Sequence, residues 1–262
     1  MLAVERQAII MQLLHQNKVV KIADIANRLN VSSETARRDL DVLQDSHDIK
    51  RIYGGAILQA PSSTEPPHAA RNASRNAQKA AIGKAAAQLV GSGETIILDI
   101  GTTTLELARH LRDLSNITVL TNSLPIVNEL SNSSVDLFCL GGRLNTDELS
   151  MFGKITTDAL HNFFVDRAFI GAGGVTLDGG ISDYNSEEAA VHRAVIERAG
   201  QIILLADSSK FGSNAFASVC GLDRIDVVVS DKNLPQEFQE GLLKWPNLKL
   251  ILAEPSSETD ED

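Results

Sequence analysis

The sequence predicts an α/β protein in two parts: an N-terminal winged helix-turn-helix and a C-terminal, mostly parallel α/β domain. Three observations predict it. Residues 21–43, KIADIANRLNVSSETARRDLDVL, carry two short helical apolar stripes joined by a turn. Residues 49–58, IKRIYGGAIL, set two β-prone runs around Gly54-Gly55. From Gln78 onward, apolar β-rich runs alternate with amphipathic stretches.

A first helix is expected over 5–15, with Ile9, Ile10, Leu13 and Leu14 for a core. The helix-turn-helix covers about 20–39. Its first helix places Ile22, Ile25, Ala26 and Leu29 at i, i+3, i+4 and i+7, one apolar stripe. Asn30 tolerates the left-handed conformation at a helix end. Ser32 or Ser33 caps the next helix by accepting a bond from its free N–H groups. Ala36, Leu40 and Leu43 form the buried stripe of that helix and leave Glu34, Thr35, Arg37, Arg38 and Asp41 facing outward. A helix of this kind fits the DNA major groove, its first turns nearest the base edges. Ser32, Ser33, Thr35, Arg37 and Arg38 are therefore candidate contacts to operator DNA. An ordinary surface helical hairpin shows the same stripes, but a basic hairpin follows this one. Gly54-Gly55 is a hairpin turn signal, and Lys50, Arg51 and Tyr53 on that wing are placed to meet phosphate or minor groove.

The 262 residues suffice for one large or two moderate domains. The formal charge of −10 argues against nucleic acid until it is divided. Residues 1–60 hold eight Lys or Arg against seven Asp or Glu, a net of +1, and the remainder holds 16 against 27, a net of −11. The N-terminal part still lacks a strong basic field, so specific binding calls for more than one copy on the DNA. No apolar run reaches the roughly 18 residues of a membrane span, and no basic-then-apolar secretory signal opens the chain. Cys139 and Cys220 are far apart in apolar contexts and read as reduced core residues of a cytoplasmic protein.

A winged domain over 1–58 is followed by a proline-containing linker over 59–77. A mostly parallel α/β domain then runs over 78–254, and an acidic, disordered tail over 255–262. Strands are expected at 95–100, 117–120, 135–140, 168–171, 202–206, 227–230 and 248–252, with helices at 105–114, 125–130 and 187–199 between them. Continuous apolar strands alternating with helices make a parallel sheet covered on both faces.

Ligands of such sheets bind beyond the carboxyl ends of the strands. The first strand ends LDIGTTT, where Gly101 permits close backbone approach and Thr102, Thr103 and Thr104 stand beside a helix start. That combination suits a phosphate, although a threonine-capped helix looks the same. The next strand ends Thr121, Asn122, Ser123, and the third LGGR. Lys210, after a later strand, offers a cation. Asp99, Asp178, Asp183, Glu188 and Asp207 offer acceptors for sugar hydroxyls. The six histidines, at 15, 47, 68, 110, 161 and 192, show no metal-ligand spacing, and no Cys-x-x-Cys occurs. No metal or cofactor is expected.

These motifs together resemble the DeoR family of bacterial sugar-responsive regulators. The first unit matches through VSSETARRDLDVL and RIYGGA, with Tyr53 where the family usually has His. The second matches through QKAAIGKAAAQLV, GETIILDIGTTT, LTNS, LGGRL, ISDYNSEEAAVHRAVI and ADSSKFG, in the family's order. The resemblance implies a sensor similar in fold to ribose-5-phosphate isomerase and glucosamine-6-phosphate deaminase. It implies that the GTTT loop holds the phosphate and that Asp99, Thr121, Asn122, Gly141, Gly142, Glu188 and Lys210 line the sugar pocket. Lys79 matches a family lysine and is expected to assist with the anion. Where the family often has Lys, this chain has His192, expected as a partly exposed helix residue. The deaminase relatives carry Asp-Gly-His where this chain has Asp178-Gly179-Gly180, so the ring-opening imidazole is expected to be absent.

The expected function is a DNA-binding regulator, a repressor of a carbohydrate catabolism operon, acting as a dimer or tetramer on double-stranded operator DNA under control of a phosphorylated sugar. The competing reading is a sugar-phosphate isomerase or deaminase with an appended helical domain.

Overall fold

The computed structural model describes residues 2–17, 19–46, 49–58, 68–72 and 74–254. By their contacts these divide into two units, Met1–Ser62 and Ser63–Asp262.

The first unit runs α1 (Ala3–Asn17), β1 (Val19–Lys21), α2 (Ile22–Leu29), α3 (Ser33–Ser46), β2 (Ile49–Ile52) and β3 (Gly55–Leu58). Ile10, Leu13 and Leu14 of α1 pack with Ile22, Ile25 and Leu29 of α2 and with Ala36, Leu40 and Leu43 of α3. Asn30 ends α2 at φ 52°, as its side chain allows. Ser32 caps α3, its Oγ accepting from Thr35 N at 3.1 Å. Gly54, at φ 82°, turns β2 into β3. The sequence reading missed β1, which pairs antiparallel with β3 from Val19↔Ile57 to Lys21↔Gly55 and makes a three-stranded sheet. Three residues are too few for a period to register. A second unforeseen feature is a partly buried ion pair. Arg6 Nε and Nη2 donate to Asp39 Oδ2 and Oδ1 at 2.7 and 3.0 Å, joining α1 to α3.

The second unit continues with α4 (His68–Asn72), α5 (Asn76–Ala87), β4 (Thr95–Leu98), α6 (Thr102–Leu111), β5 (Thr118–Thr121), α7 (Leu124–Leu130) and β6 (Asp136–Cys139). Next come β7 (Arg143–Asn145), β8 (Ser150–Phe152), α8 (Lys154–Leu160), β9 (Val165–Ile170), β10 (Gly174–Thr176) and β11 (Gly180–Asp183). It closes with α9 (Ser186–Arg198), β12 (Ala199–Leu205), β13 (Ala217–Cys220), β14 (Val227–Asp231), α10 (Gln236–Leu242) and β15 (Lys249–Ala253).

Seven of these strands form one parallel sheet in the order β15-β14-β12-β9-β4-β5-β6. Each grew from an apolar run named above. Side chains alternate between two cores. Ile96, Leu98, Val119, Phe169, Ile203 and Val229 face one, with Ile82 of α5, Leu107 of α6 and Ile126 of α7. Ile97, Leu120, Ile170, Leu204 and Val228 face the other, with Leu160 of α8, Val191 and Val195 of α9 and Leu242 of α10. The antiparallel pieces stand apart as a sheet β10-β11-β13 and a hairpin β7-β8. Their strands are short and were not legible.

Two expectations are corrected. Residues 68–72 and 74–77, read as linker, are folded here. They include α4 and the start of α5, whose Lys79 side chain holds the intervening turn, donating to Arg71 O and, at 2.9 Å, to Ser74 O. Residues 59–67, the rest of that linker apart from 73, lie outside the described residues, as does the predicted tail 255–262. Cys139, read as a core residue, is exposed because β6 is the sheet's edge strand, and Cys220 is half-buried on β13.

Candidate functional site

In the first unit the outward face of α3 is as the stripes require. Arg37 and Arg38 are exposed, each near Glu34, at 3.6 and 3.8 Å. Such surface pairs are worth about 0–1 kcal/mol, so both guanidiniums remain available to another partner. Ser33 is exposed, and Ser32 and Thr35 share a hydrogen bond at 2.9 Å. Tyr53 stands fully exposed at the wing tip. Lys50 lies on β2 opposite Ile57. Arg51 differs from expectation. It folds back onto α3, Nη1 donating to Arg37 O at 3.0 Å and to Asp41 Oδ1 at 2.7 Å.

In the second unit the strand order fixes where a ligand site can form. From β4 the chain builds outward through β5 to β6, then returns to β9 on the other side of β4 and builds outward through β12 to β15. The order therefore reverses between β4 and β9, which opens a crevice beyond their carboxyl ends. Asp99, Gly101 and the three threonines follow β4. Thr121 and Asn122 lie at the end of β5, Gly141 and Gly142 follow β6, and Lys210 follows β12. The predicted residues thus share one edge of the sheet.

Several of them are committed to building that edge. Thr121 Oγ1 accepts from Ser123 N at 3.1 Å, and Asn122 Nδ2 donates to Met151 O at 2.9 Å. Gly142 is a packing glycine: a Cβ there would stand 2.1 Å from Thr156 Oγ1 and 2.8 Å from Phe152 O. No threonine caps α6. Its N-cap is Gly101, without a side-chain bond, and Thr104 Oγ1 instead donates to Gly101 O at 2.9 Å. The free N–H groups of the first turn carry the positive end of the helix dipole.

Beside this edge lies a buried charge cluster. His192 of α9 is buried, not partly exposed as expected. Its Nε2 stands 2.6 Å from Asp99 Oδ2 and its Nδ1 3.3 Å from Asp183 Oδ2. These are ion-pair distances, and they leave Asp99 Oδ1 without a hydrogen-bond partner among the described residues. Burial pushes the imidazole toward neutrality, but Asp99, then Asp183 and Glu188, outweigh it and raise its pKa to about 9. Glu188, one turn earlier in α9, accepts at Oε1 from Ser150 Oγ at 2.8 Å and Asn145 Nδ2 at 2.9 Å. Burial pushes its carboxyl upward. A histidine at 180 is excluded sterically, because Gly180 has φ 69° and an added Cβ would lie 2.2 Å from Cys220 O. An imidazole is nonetheless present, from position 192. It is held protonated at neutral pH, so it is no general base there.

A second cluster is cationic. Buried Asp207, after β12, takes Ser209 N at 3.0 Å and stands 3.7 Å from Arg75. Arg75 and Lys210 outweigh its burial and hold its carboxyl below the ordinary range. Lys79 is also buried here, and burial, with Arg71, Lys210 and Arg75 nearby, pulls its pKa down to about 8. Arg75, Lys79 and Lys210 thus surround one carboxylate, while Arg71, beside Lys79, pairs with Glu148. Arg71 and Arg75 were missed because their stretch reads as linker. The signal for His192 was present but unused: it sits four residues after Glu188 and three before Val195, on the buried stripe of α9.

Among the described residues, no group of His, Cys, Asp and Glu is arranged to hold a metal, and no helix is long and apolar enough to cross a membrane.

Comparison with known proteins gives two family matches: the DeoR-like helix-turn-helix domain over residues 6–62 and the DeoR C terminal sensor domain over residues 74–232. The HTH-type transcriptional repressor GlcR of Bacillus subtilis is 34% identical, over 98% of each chain. The glycerol-3-phosphate regulon repressor of Escherichia coli is 31% identical, over 89% of this chain and 92% of that one. Among solved structures, ribose 5-phosphate isomerase A from Methanocaldococcus jannaschii is similar over 53% of this chain and 56% of its own, at 20% identity and a TM-score of 0.41.

Proposed function

As a chain that belongs to the DeoR family of transcriptional regulators, this protein is a regulator and not an enzyme, and we propose that it represses a carbohydrate-use operon under control of a phosphorylated sugar. The exposed face of α3, with Ser33, Thr35, Arg37 and Arg38, reads the operator, and Lys50 and Tyr53 on the wing touch its backbone or minor groove. Two copies at least occupy the operator, because one winged helix of net charge +1 binds weakly and half-sites come in pairs. The protein acts in the cytoplasm, where its DNA is.

The effector lies beyond the ends of β4 and β9. Its phosphate meets the first turn of α6 at Gly101 to Thr104, with Lys79 and Lys210 as counter-ions. Its hydroxyls meet Asp99 and Glu188, beside Thr121, Asn122 and Gly141. The observation that carries this reading is the meeting of opposite clusters at one edge of the sheet. An excess of cations favours a dianion, and the buried Asp99 Oδ1, which has no hydrogen-bond partner among the described residues, favours a hydroxyl donor. Glucosamine-type amines are disfavoured at the carboxylate end, where the His192 imidazolium already supplies the cation.

The test is a thermal-shift screen with ribose 5-phosphate, glucose 6-phosphate, fructose 6-phosphate and glycerol 3-phosphate, and the unphosphorylated compounds as controls. A binder at 100 times its Kd adds about 2.7 kcal/mol of apparent stability. Stabilisation by a phosphate ester alone, accompanied by release of operator DNA, supports the reading. Equal stabilisation by the free sugars sinks the phosphate assignment.

A further inference from the structure

Helix α4 is the first element of the second unit in chain order, so from it the chain runs back toward the DNA-binding unit. It is fastened to the turn between β7 and β8. Arg71 pairs with Glu148 through Nη2 and Oε2, and His68 N donates to Asp147 O at 3.1 Å. Glu148 is buried, so this is not a solvent-weakened surface pair.

The same turn is fastened on its other side to Glu188. Asn145 spans the two, using both ends of its amide. Oδ1 accepts from Asp147 N at 3.0 Å and from Glu148 N at 3.4 Å, while Nδ2 donates to Glu188 Oε1 at 2.9 Å. Ser150, which pairs with Asn145 across the hairpin, donates to the same Glu188 oxygen. The turn itself is strained: Leu149 holds φ 54° without being glycine. Its carbonyl accepts from Leu124 N at 2.9 Å, at the start of α7.

We propose that this hairpin turn is the relay between the effector site and the segment leading to the DNA-binding unit. A ligand hydroxyl that donates to Glu188 Oε1 displaces Asn145 or Ser150, because that oxygen's two lone pairs already accept from both. Release of the Asn145 amide removes the bonds that shape residues 147 and 148, and the strained turn relaxes to a second arrangement. Asp147 and Glu148 then carry α4 with them through His68 N and Arg71. The relay rests on the reading that the effector's hydroxyls reach Glu188. It is a discrete two-state element on which a ligand can act, which coupling between separate sites requires.

Two measurements test it, with the four phosphates named above as probes. First, amide hydrogen exchange is followed in the full wild-type chain with and without the stabilising probe. Exchange at His68, Asp147 and Glu148 should change at least threefold. Second, operator Kd is measured with and without the probe for wild type and Glu148→Gln. The variant should bind the probe within about threefold of wild type, while the probe's effect on operator affinity shrinks toward none. Unchanged exchange at all three amides in the probe-saturated wild type overturns the relay, and so does wild-type coupling in Glu148→Gln. A wild type that binds no probe overturns the effector reading instead, and the direct binding measurement separates the two failures.

Discussion

His192 Nε2 lies 2.6 Å from Asp99 Oδ2, so a helix in the second half of the chain supplies the cation that faces the end of strand β4. Asp183 stands against its other nitrogen and Glu188 one turn away. The folded pKa is raised from 6.5 to about 9. The imidazolium's contribution to stability is therefore full below about pH 6.5 and is lost as pH rises through about 9. Lys79, lowered to about 8, acts in the opposite sense as pH rises above that value. The expected result is that the stability difference between wild type and His192→Gln is largest near pH 6 and smallest above pH 9, in denaturant melts across that range. A pH-independent difference would mean that folding leaves the imidazole's pKa unchanged.

Arg37→Ala and Arg38→Ala should each weaken operator binding by about 1–3 kcal/mol if the residue reads a base. Their stability should stay within about 0.5 kcal/mol of wild type, because both face solvent and pair only loosely with Glu34. Fluorescence anisotropy on operator DNA, together with thermal melts, checks both. A large loss of stability would place the wrong face of α3 outward.

Ser32→Ala should cost about 1 kcal/mol of stability by removing the cap on Thr35 N. Urea melts of the full chain measure it, and an unchanged transition of the first unit would show that the cap contributes nothing.

Thr103→Glu puts a negative charge in the first turn of α6, where the proposed phosphate sits. Operator binding should persist, and the stabilising phosphate ester should no longer bind at concentrations that saturate wild type. Isothermal titration reads this directly, and normal affinity in the variant would remove the phosphate from α6.

Gly142→Ala is expected to act on the fold and not on ligand contact. The new Cβ would meet Thr156 Oγ1 and the backbone of Phe152, and overpacking of this kind costs about 1–3 kcal/mol. A fully stable variant that fails to bind effector would return Gly142 to the list of ligand contacts.

Much of this protein was written locally and could be read there. All seven strands of the main sheet coincide with apolar runs, and the five inner ones are largely buried on both faces, so they need no partner to declare themselves in sequence. The helix-turn-helix was legible for the same reason: Ile22, Ile25 and Leu29, and then Ala36, Leu40 and Leu43, fall on stripes set by the helical repeat alone. The ends of the parallel strands also pointed to the edge at which the effector site is proposed. What each side chain does at that edge could not be read. Thr104 bonds its own turn, Gly142 yields space to Thr156, and Arg51 turns back to α3, each decided by a neighbour that the sequence does not announce.

The sequence by itself determined the two-unit architecture, the outward face of α3 and the strand ends at which a ligand would lie. Periodicity and strand-end chemistry depend only on near neighbours. The tertiary structure alone decided that His192 is buried between Asp99 and Asp183, that Arg6 is paired with Asp39, and that Asn145 joins Glu188 to the turn holding Arg71. These are contacts between residues distant in the chain, and a polar side chain's burial and charge state are set by what folding brings against it.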